Sequence, residues 1–141
     1  MRTNQPVRML RIRPEHIKQI IEHARREHPL ECCGFLVGKD NEALKVYEMS
    51  NVDKSRTTYL MDPREQLQVY KQMEKDGTEI VGIYHSHPHS EAFPSPTDLR
   101  KVFYEDVYYL IVSLSDWDRP TVRVFKLIDS KIKEEEMVEI G

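Results

Sequence analysis

Residues 83–100 read IYHSHPHSEAFPSPTDLR. An apolar lead-in turns polar, histidines stand at the alternate positions 85, 87 and 89, and a proline-bracketed Ser95 precedes Asp98. Side chains two apart on an extended strand share a face, so a strand over EIVGIYHSH (79–87) projects His85 and His87 together from its end. Pro88 ends that strand and takes His89 out of the alternation. Ser95-Pro96-Thr97-Asp98 then has the form of a helix start, with a hydroxyl cap, proline at the first helical position and an acid three residues after the cap. A helix continuing through Leu99, Val102 and Phe103 is expected from it.

Outward from this stretch, strands and helices are interspersed. VRMLRI (7–12) is a predicted first strand, with Arg2, Arg8, Arg11 and Arg13 on the solvated side of a sheet edge. Pro14 opens a helix in PEHIKQIIEHARREH, where Ile17, Ile20, Ile21 and Ala24 form one apolar stripe, and Pro29 stops it. CCGFLVG is a short apolar run bounded by glycine, the pattern of a buried strand, and ALKVYEMS and the region around TTYLM are predicted strands. Asp62-Pro63-Arg64-Glu65 forms a capping-box pattern for a helix that runs through Leu67, Tyr70 and Met73 to Gly77. VYYLIVSL and TVRVFKLI are predicted strands joined by SDWDRP, and the amphipathic KIKEEEMVEI closes the chain. With no repeats or linkers, the pattern indicates one domain over 1–141, an α/β sandwich around a central sheet.

Composition narrows the function classes. With 39% apolar and 32% charged residues among 141, the chain is globular, and its net charge of −3 offers no footprint for nucleic acid. The longest apolar runs fall far below the roughly 18 residues a bilayer needs, and the arginine-strewn N-terminus lacks the apolar block of a signal peptide. Cys32 and Cys33, the only cysteines, are adjacent and expected to pack as small apolar residues in a reducing cytoplasm. Trp117 is expected to pack locally in its turn. GFLVGKD fails as a phosphate loop, and neither H-E-x-x-H nor G-x-S-x-G occurs.

Two imidazoles on a rigid strand can grip one divalent ion, and catalytic zinc usually takes three protein ligands and leaves a fourth position for water. Asp98, eleven residues beyond His87, is the third candidate. Each part also has an ordinary reading: H-x-H recurs at solvated strand ends, and Ser95 and Asp98 are common in the first turn of any helix. A metal hydrolase also needs a base. Glu31, after a helix stop and at the edge of a buried strand, is the candidate, with an ordinary loop residue as the alternative.

At these residues the chain resembles the JAMM (MPN+) metalloproteases, in their compact stand-alone prokaryotic form. Glu31, His85-Ser86-His87-Pro88, six residues and Ser95-Pro96-Thr97-Asp98 match E…H-[ST]-H-P-x6-S-x-x-D without departure. The resemblance implies a three-layer α/β sandwich with a mixed central sheet, related to cytidine deaminases. Deaminase chemistry itself is not expected, because H-x-E and P-C-x-x-C are missing. It implies one zinc ion held by His85, His87 and Asp98, Glu31 as general base and then acid, and Ser95 as oxyanion donor. It further implies hydrolysis of the bond after the C-terminal Gly-Gly of a small ubiquitin-like or sulfur-carrier protein. The segment VDKSRTTYLM is the expected edge for that tail, laid down by strand addition. A non-catalytic MPN-type binding module is the alternative, and a closed structural zinc site a third, less suited to this ligand set. Oligomeric state and the identity of the carrier are not legible in the sequence.

Overall fold

The computed structural model describes residues 9–141. Among them eight strands and three helices alternate: β1 (Leu10–Ile12), α1 (Pro14–Glu27), β2 (Cys33–Lys39), β3 (Glu42–Met49), α2 (Pro63–Asp76), β4 (Glu79–His87), α3 (Pro96–Arg100), β5 (Tyr108–Ser113), β6 (Thr121–Ile128), β7 (Lys131–Glu135) and β8 (Met137–Glu139). They build one mixed sheet in the order β7-β6-β5-β4-β2-β3-β1-β8, with β4 parallel to β5 and antiparallel to β2. A single residue, Glu136, separates β7 at one edge from β8 at the other. Since one peptide step spans about 3.8 Å, the two edges approach each other and the sheet curls toward closure.

Each face of the sheet has its own core. On one, Ile20 and Ala24 of α1 pack with Leu10, Ile12, Leu36, Tyr84 and Leu110, and Ile17 and Ile21 flank them, so the predicted stripe is the buried face of the helix. On the other, Val69 and Met73 of α2 cover Phe35, Val37, Ile83, Ile111 and Phe125. Helix, sheet and helix therefore form the three expected layers.

Local chemistry explains most boundaries. Asp62 caps α2 by accepting from the Arg64 amide at 2.9 Å, and Gly77 ends the helix in the left-handed region at φ +67°. The β2–β3 and β6–β7 hairpins turn on Asp40-Asn41 and Asp129-Ser130, each pair at positive φ, as a type I′ turn demands. A β-bulge in β4 matters more for the site. Leu36 pairs with Gly82 but Val37 pairs with Ile80, so Val81 is an extra residue. It turns Val81 toward the α1 face and leaves both Ile80 and Ile83 on the α2 face. Alternation beyond Ile83 then carries His85 and His87 to the α2 side.

Several expectations are corrected. The predicted strand 7–12 is described only from Leu10 on, and Arg2 and Arg8 lie outside the described residues. β1 is not an edge strand: β3 and β8 flank it, and Arg11 and Arg13 face Glu42 at 3.2 and 3.8 Å. The TTYLM region is a loop with one isolated bridge, Asn51–Met61, because side chains take up its backbone. The Ser55 hydroxyl accepts from the Thr57 and Thr58 amides, and the Asn51 carboxamide oxygen accepts from Leu60 N. Glu65 does not close a capping box on Asp62. Its carboxylate accepts from Ser50 N at 2.7 Å and Ser50 Oγ at 2.6 Å, tying α2 to the end of β3. The helix after Ser95 stops at Arg100, which leaves Phe103 outside it and 85% exposed.

Gly34 is needed for a steric reason. A Cβ there would lie 2.2–2.4 Å from the ring and hydroxyl of Tyr84, which is itself buried and bonded through its hydroxyl to His23 Nδ1 at 2.7 Å. Gly34→Ala should therefore cost about 3 kcal/mol or more of stability, the upper range for overpacking. A change in the denaturant midpoint worth less than about 1 kcal/mol would show that Tyr84 moves freely.

Candidate metal and catalytic site

Three elements meet at the end of β4. His85 and His87 project from the strand, and Asp98 comes from the first turn of α3. His85 Nε2 lies 3.2 Å from His87 Nε2 and 3.2 Å from Asp98 Oδ2, and His87 Nε2 lies 3.0 Å from the same oxygen. Ligand atoms about 2.0–2.1 Å from one ion at tetrahedral angles stand about 3.3 Å apart, so this near-equilateral triangle has the dimensions of one face of such a site. Among the described residues it is the one group of three or more His, Cys, Asp or Glu side chains arranged to hold a metal. His89, excluded from the ligands by Pro88, is not part of it.

The surroundings aim these side chains. His87 Nδ1 lies 2.8 Å from the Glu91 carbonyl. A carbonyl only accepts, so Nδ1 carries a proton, and in the neutral ring the Nε2 lone pair faces the triangle. The Tyr59 ring stacks on His85 with centroids 4.7 Å apart. Asp98 belongs to a capping box: its Oδ2 accepts from Ser95 N at 2.8 Å, and Asp98 N donates to Ser95 Oγ at 3.0 Å. That leaves the Ser95 hydroxyl proton available to donate elsewhere. Both expected helix-start residues thus act as caps while Asp98 also completes the triangle.

Glu31 arrives from the other side of the sheet seam. Its amide donates to Ser55 O at 2.8 Å and its carbonyl accepts from Asn51 Nδ2 at 3.0 Å. The next residue is stapled to β4: Cys32 N donates to Ser86 Oγ at 2.8 Å, and Ser86 N donates to Cys32 O at 3.1 Å. Ser86, between the two histidines but on the opposite face, thereby sets Glu31 beside them. The Glu31 side chain is only 3% exposed, and its Oε1 is buried without a hydrogen-bond partner. A buried carboxylate oxygen without a donor is costly unless a ligand completes it.

Electrostatics separate the two acids. Burial, reinforced by the charge of Asp98 and opposed by His87 and Lys101, pushes the Glu31 carboxyl up to about 8. Burial would raise Asp98 too, but hydrogen bonds and charge from His85, with His87 and the Ser95 amide, hold it well below the carboxylate range. His87 is raised: burial works to lower it, but the bonds to Asp98 and the Glu91 carbonyl outweigh that.

These directions have a sign for stability. Glu31 binds its proton more tightly in the folded state, so its contribution is present below its ordinary value of 4.5 and is lost as the pH rises to about 8. His87 acts in the same sense above its ordinary 6.5. Asp98 acts oppositely, and its contribution is lost as the pH falls below its ordinary 3.8. Chelator-treated protein should lose Tm between about pH 5 and pH 8, and Glu31→Gln should make that slope shallower. An unchanged slope in the variant would remove Glu31 as its source.

His85, His87, Asp98 and Glu31 thus meet, supported by three residues that had no role at the site by sequence alone. Tyr59 carries no local signal for its stacking role. Ser86 shows only as a small hydroxyl between two histidines. Asn51 was legible in principle, as an Asx turn in which its side chain accepts from Asp53 N at 3.0 Å. Cys32 and Cys33 are buried free thiols, raised by burial, in keeping with a packing role. Trp117 does not pack within its own turn as expected: it lies edge-on to His28 and beneath the Arg25 guanidinium at the end of α1, and stays 47% exposed.

Comparison with known proteins gives the arrangement a context. Residues 13–128 match the family model described as prokaryotic homologs of the JAB domain. The chain is 37% identical over 131 residues to a CysO-cysteine peptidase of Mycobacterium bovis, covering 92% of this chain and 90% of the relative. It is 37% identical over 100 residues to a desampylase of Pyrococcus furiosus, with 71% of each chain covered. A solved structure from Desulfitobacterium hafniense superposes with a TM-score of 0.85 at 34% identity, covering 94% of this chain and 93% of that one.

Proposed function

Since the chain belongs to the family of prokaryotic homologues of the JAB domain, we propose that it is a zinc-dependent peptidase or isopeptidase. The proposed substrate is a small ubiquitin-like or sulfur-carrier protein, cut after its C-terminal Gly-Gly. The observation that carries this reading is the triangle of His85 Nε2, His87 Nε2 and Asp98 Oδ2 with edges of 3.0–3.2 Å, beside the buried Glu31. The donor set fits zinc: two imidazole nitrogens and one carboxylate oxygen leave a position open, as a catalytic rather than a structural site requires. A relative named for the peptidase cleavage of CysO-cysteine and another named a desampylase support the substrate class.

His85, His87 and Asp98 would hold the ion. When bound, zinc supplies Lewis acidity and a water acidic enough to ionise near neutral pH. Glu31 takes the proton that the attacking water loses, at the oxygen left without a partner. The water oxygen bonds to the carbonyl carbon, and the C–N bond breaks as Glu31 returns that proton to the leaving nitrogen. The products are a carrier ending in a Gly-Gly carboxylate and a free amine. Ser95, whose oxygen already accepts from Asp98 N, has its hydroxyl proton free for the developing oxyanion. Ser95→Ala should lower kcat/KM by about 2–4 kcal/mol of transition-state stabilisation, with zinc retained; a loss below tenfold would take Ser95 out of that role.

No described helix is long and apolar enough to cross a membrane. The free buried thiols suit the reducing cytoplasm proposed as the compartment. The deciding experiment incubates zinc-loaded protein with Gly-Gly carriers bearing a C-terminal extension and follows their mass. Loss of the extension up to the second glycine is expected. Intact carriers, in a protein that binds zinc, would leave a non-catalytic binding module.

A further inference from the structure

Beside His85, on the α2 face, lies a pocket of about 480 Å³ walled by Phe35, Tyr59, Met61, Ile83, Phe103 and Tyr109. Tyr59 links it to the triangle: its ring stacks on His85 and forms part of the pocket wall, and Ile83 of the wall lies two residues before His85 on the same face of β4. Its volume falls within the roughly 300–1,000 Å³ of built ligand sites.

Several polar groups at this wall are engaged by the protein itself. Tyr109 Oη donates to Tyr104 O at 2.6 Å, and the Tyr104 hydroxyl pairs with that of Tyr70. Gln66 Nε2 donates to Met61 O at 3.2 Å. Lys101, the one charged residue lining the pocket, is held by Asp53 at 3.7 Å. An occupant therefore meets mainly apolar surface, which favours an apolar side chain over a polar one that would have to be desolvated there. Exposed apolar residues continue the pocket outward, with Leu60 at 50% and Phe103 at 85% exposure.

We propose that this pocket is a specificity subsite for a large apolar side chain, carried by the third substrate residue counted back from the scissile carbonyl. The proposal rests on the peptidase reading above. An extended substrate rises about 3.3 Å per residue, so two glycines carry it past the Tyr59–His85 stack without a side chain to clash. The third residue is the first that can fill the volume beyond. Tyr59, Leu60 and Met61 of the pocket belong to the segment expected from sequence as the edge for the tail, which the structure shows as a loop rather than a strand.

The test uses the zinc-loaded full chain and carrier peptides ending X-Gly-Gly followed by a reporter residue, with X as Phe, Leu, Ala or Glu. Phe and Leu are expected to exceed Ala and Glu in kcat/KM by about 10- to 100-fold, mainly through KM. Phe103→Ala and Leu60→Ala should shrink the Phe-to-Ala ratio. The same peptides titrated calorimetrically onto the Glu31→Gln protein should show the preference in Kd without turnover. Cleavage with no preference in either assay overturns the pocket and leaves the peptidase intact. Preferential binding of Phe with no cleavage by the unmutated protein sinks the peptidase and keeps the pocket. Neither cleavage nor preferential binding removes both.

Discussion

Glu31→Gln is expected to retain one zinc per chain while turnover falls by about 10²- to 10⁴-fold, the range attributed to a positioned general base. Glutamine preserves the shape and most of the packing of this buried side chain, only 3% exposed, but it cannot take up a proton. Metal retention follows because Glu31 is not one of the three side chains that converge. Burial pushes its carboxyl up to about 8, so it binds a proton more tightly than an ordinary carboxylate, as suits a group that takes one from water and passes it to the leaving nitrogen. Metal analysis of the purified variant, paired with its rate on a Gly-Gly carrier, makes the test. Activity within tenfold of the unmutated protein would end the assignment of Glu31 as base.

His87→Ala should behave differently, losing both the metal and all measurable turnover. It removes one of three ligand atoms and takes from Asp98 an imidazole at 3.0 Å. The two ligands left cannot hold zinc against solvent or a chelator. His89→Ala is the matching control: two residues away, it lies outside the triangle and contacts the His28 ring instead. That variant should keep both zinc and rate. Zinc retained in His87→Ala, or lost in His89→Ala, would relocate the metal site. For the unmutated protein, chelation should abolish turnover and added zinc restore it.

The elements nearest the site were the easiest to read. β4 runs over the predicted 79–87, and α1 buries the predicted stripe, because periodicity and proline positions act within a few residues. Signals failed where a distant partner competed for a local group. Glu65 has the spacing of a capping box yet bonds Ser50 from another element. Thr57-Thr58 have strand-like composition, yet Ser55 and Asn51 take up the backbone of their loop. The curl of the sheet, with Glu136 joining its two edges, has no local signature at all.

The order of His85, Ser86, His87, Ser95 and Asp98 along the chain, and the capped helix that fixes the last of them, came from sequence alone. Neighbour-to-neighbour backbone geometry encodes such features. Only the tertiary structure decided that a bulge at Val81 turns both imidazoles toward α3, that Ser86 brings Glu31 beside them, and that Tyr59 walls an apolar pocket next to His85. Those facts depend on register and burial, which are set by contacts between residues 20 to 60 positions apart, such as the 54 between Cys32 and Ser86, and no local pattern carries them.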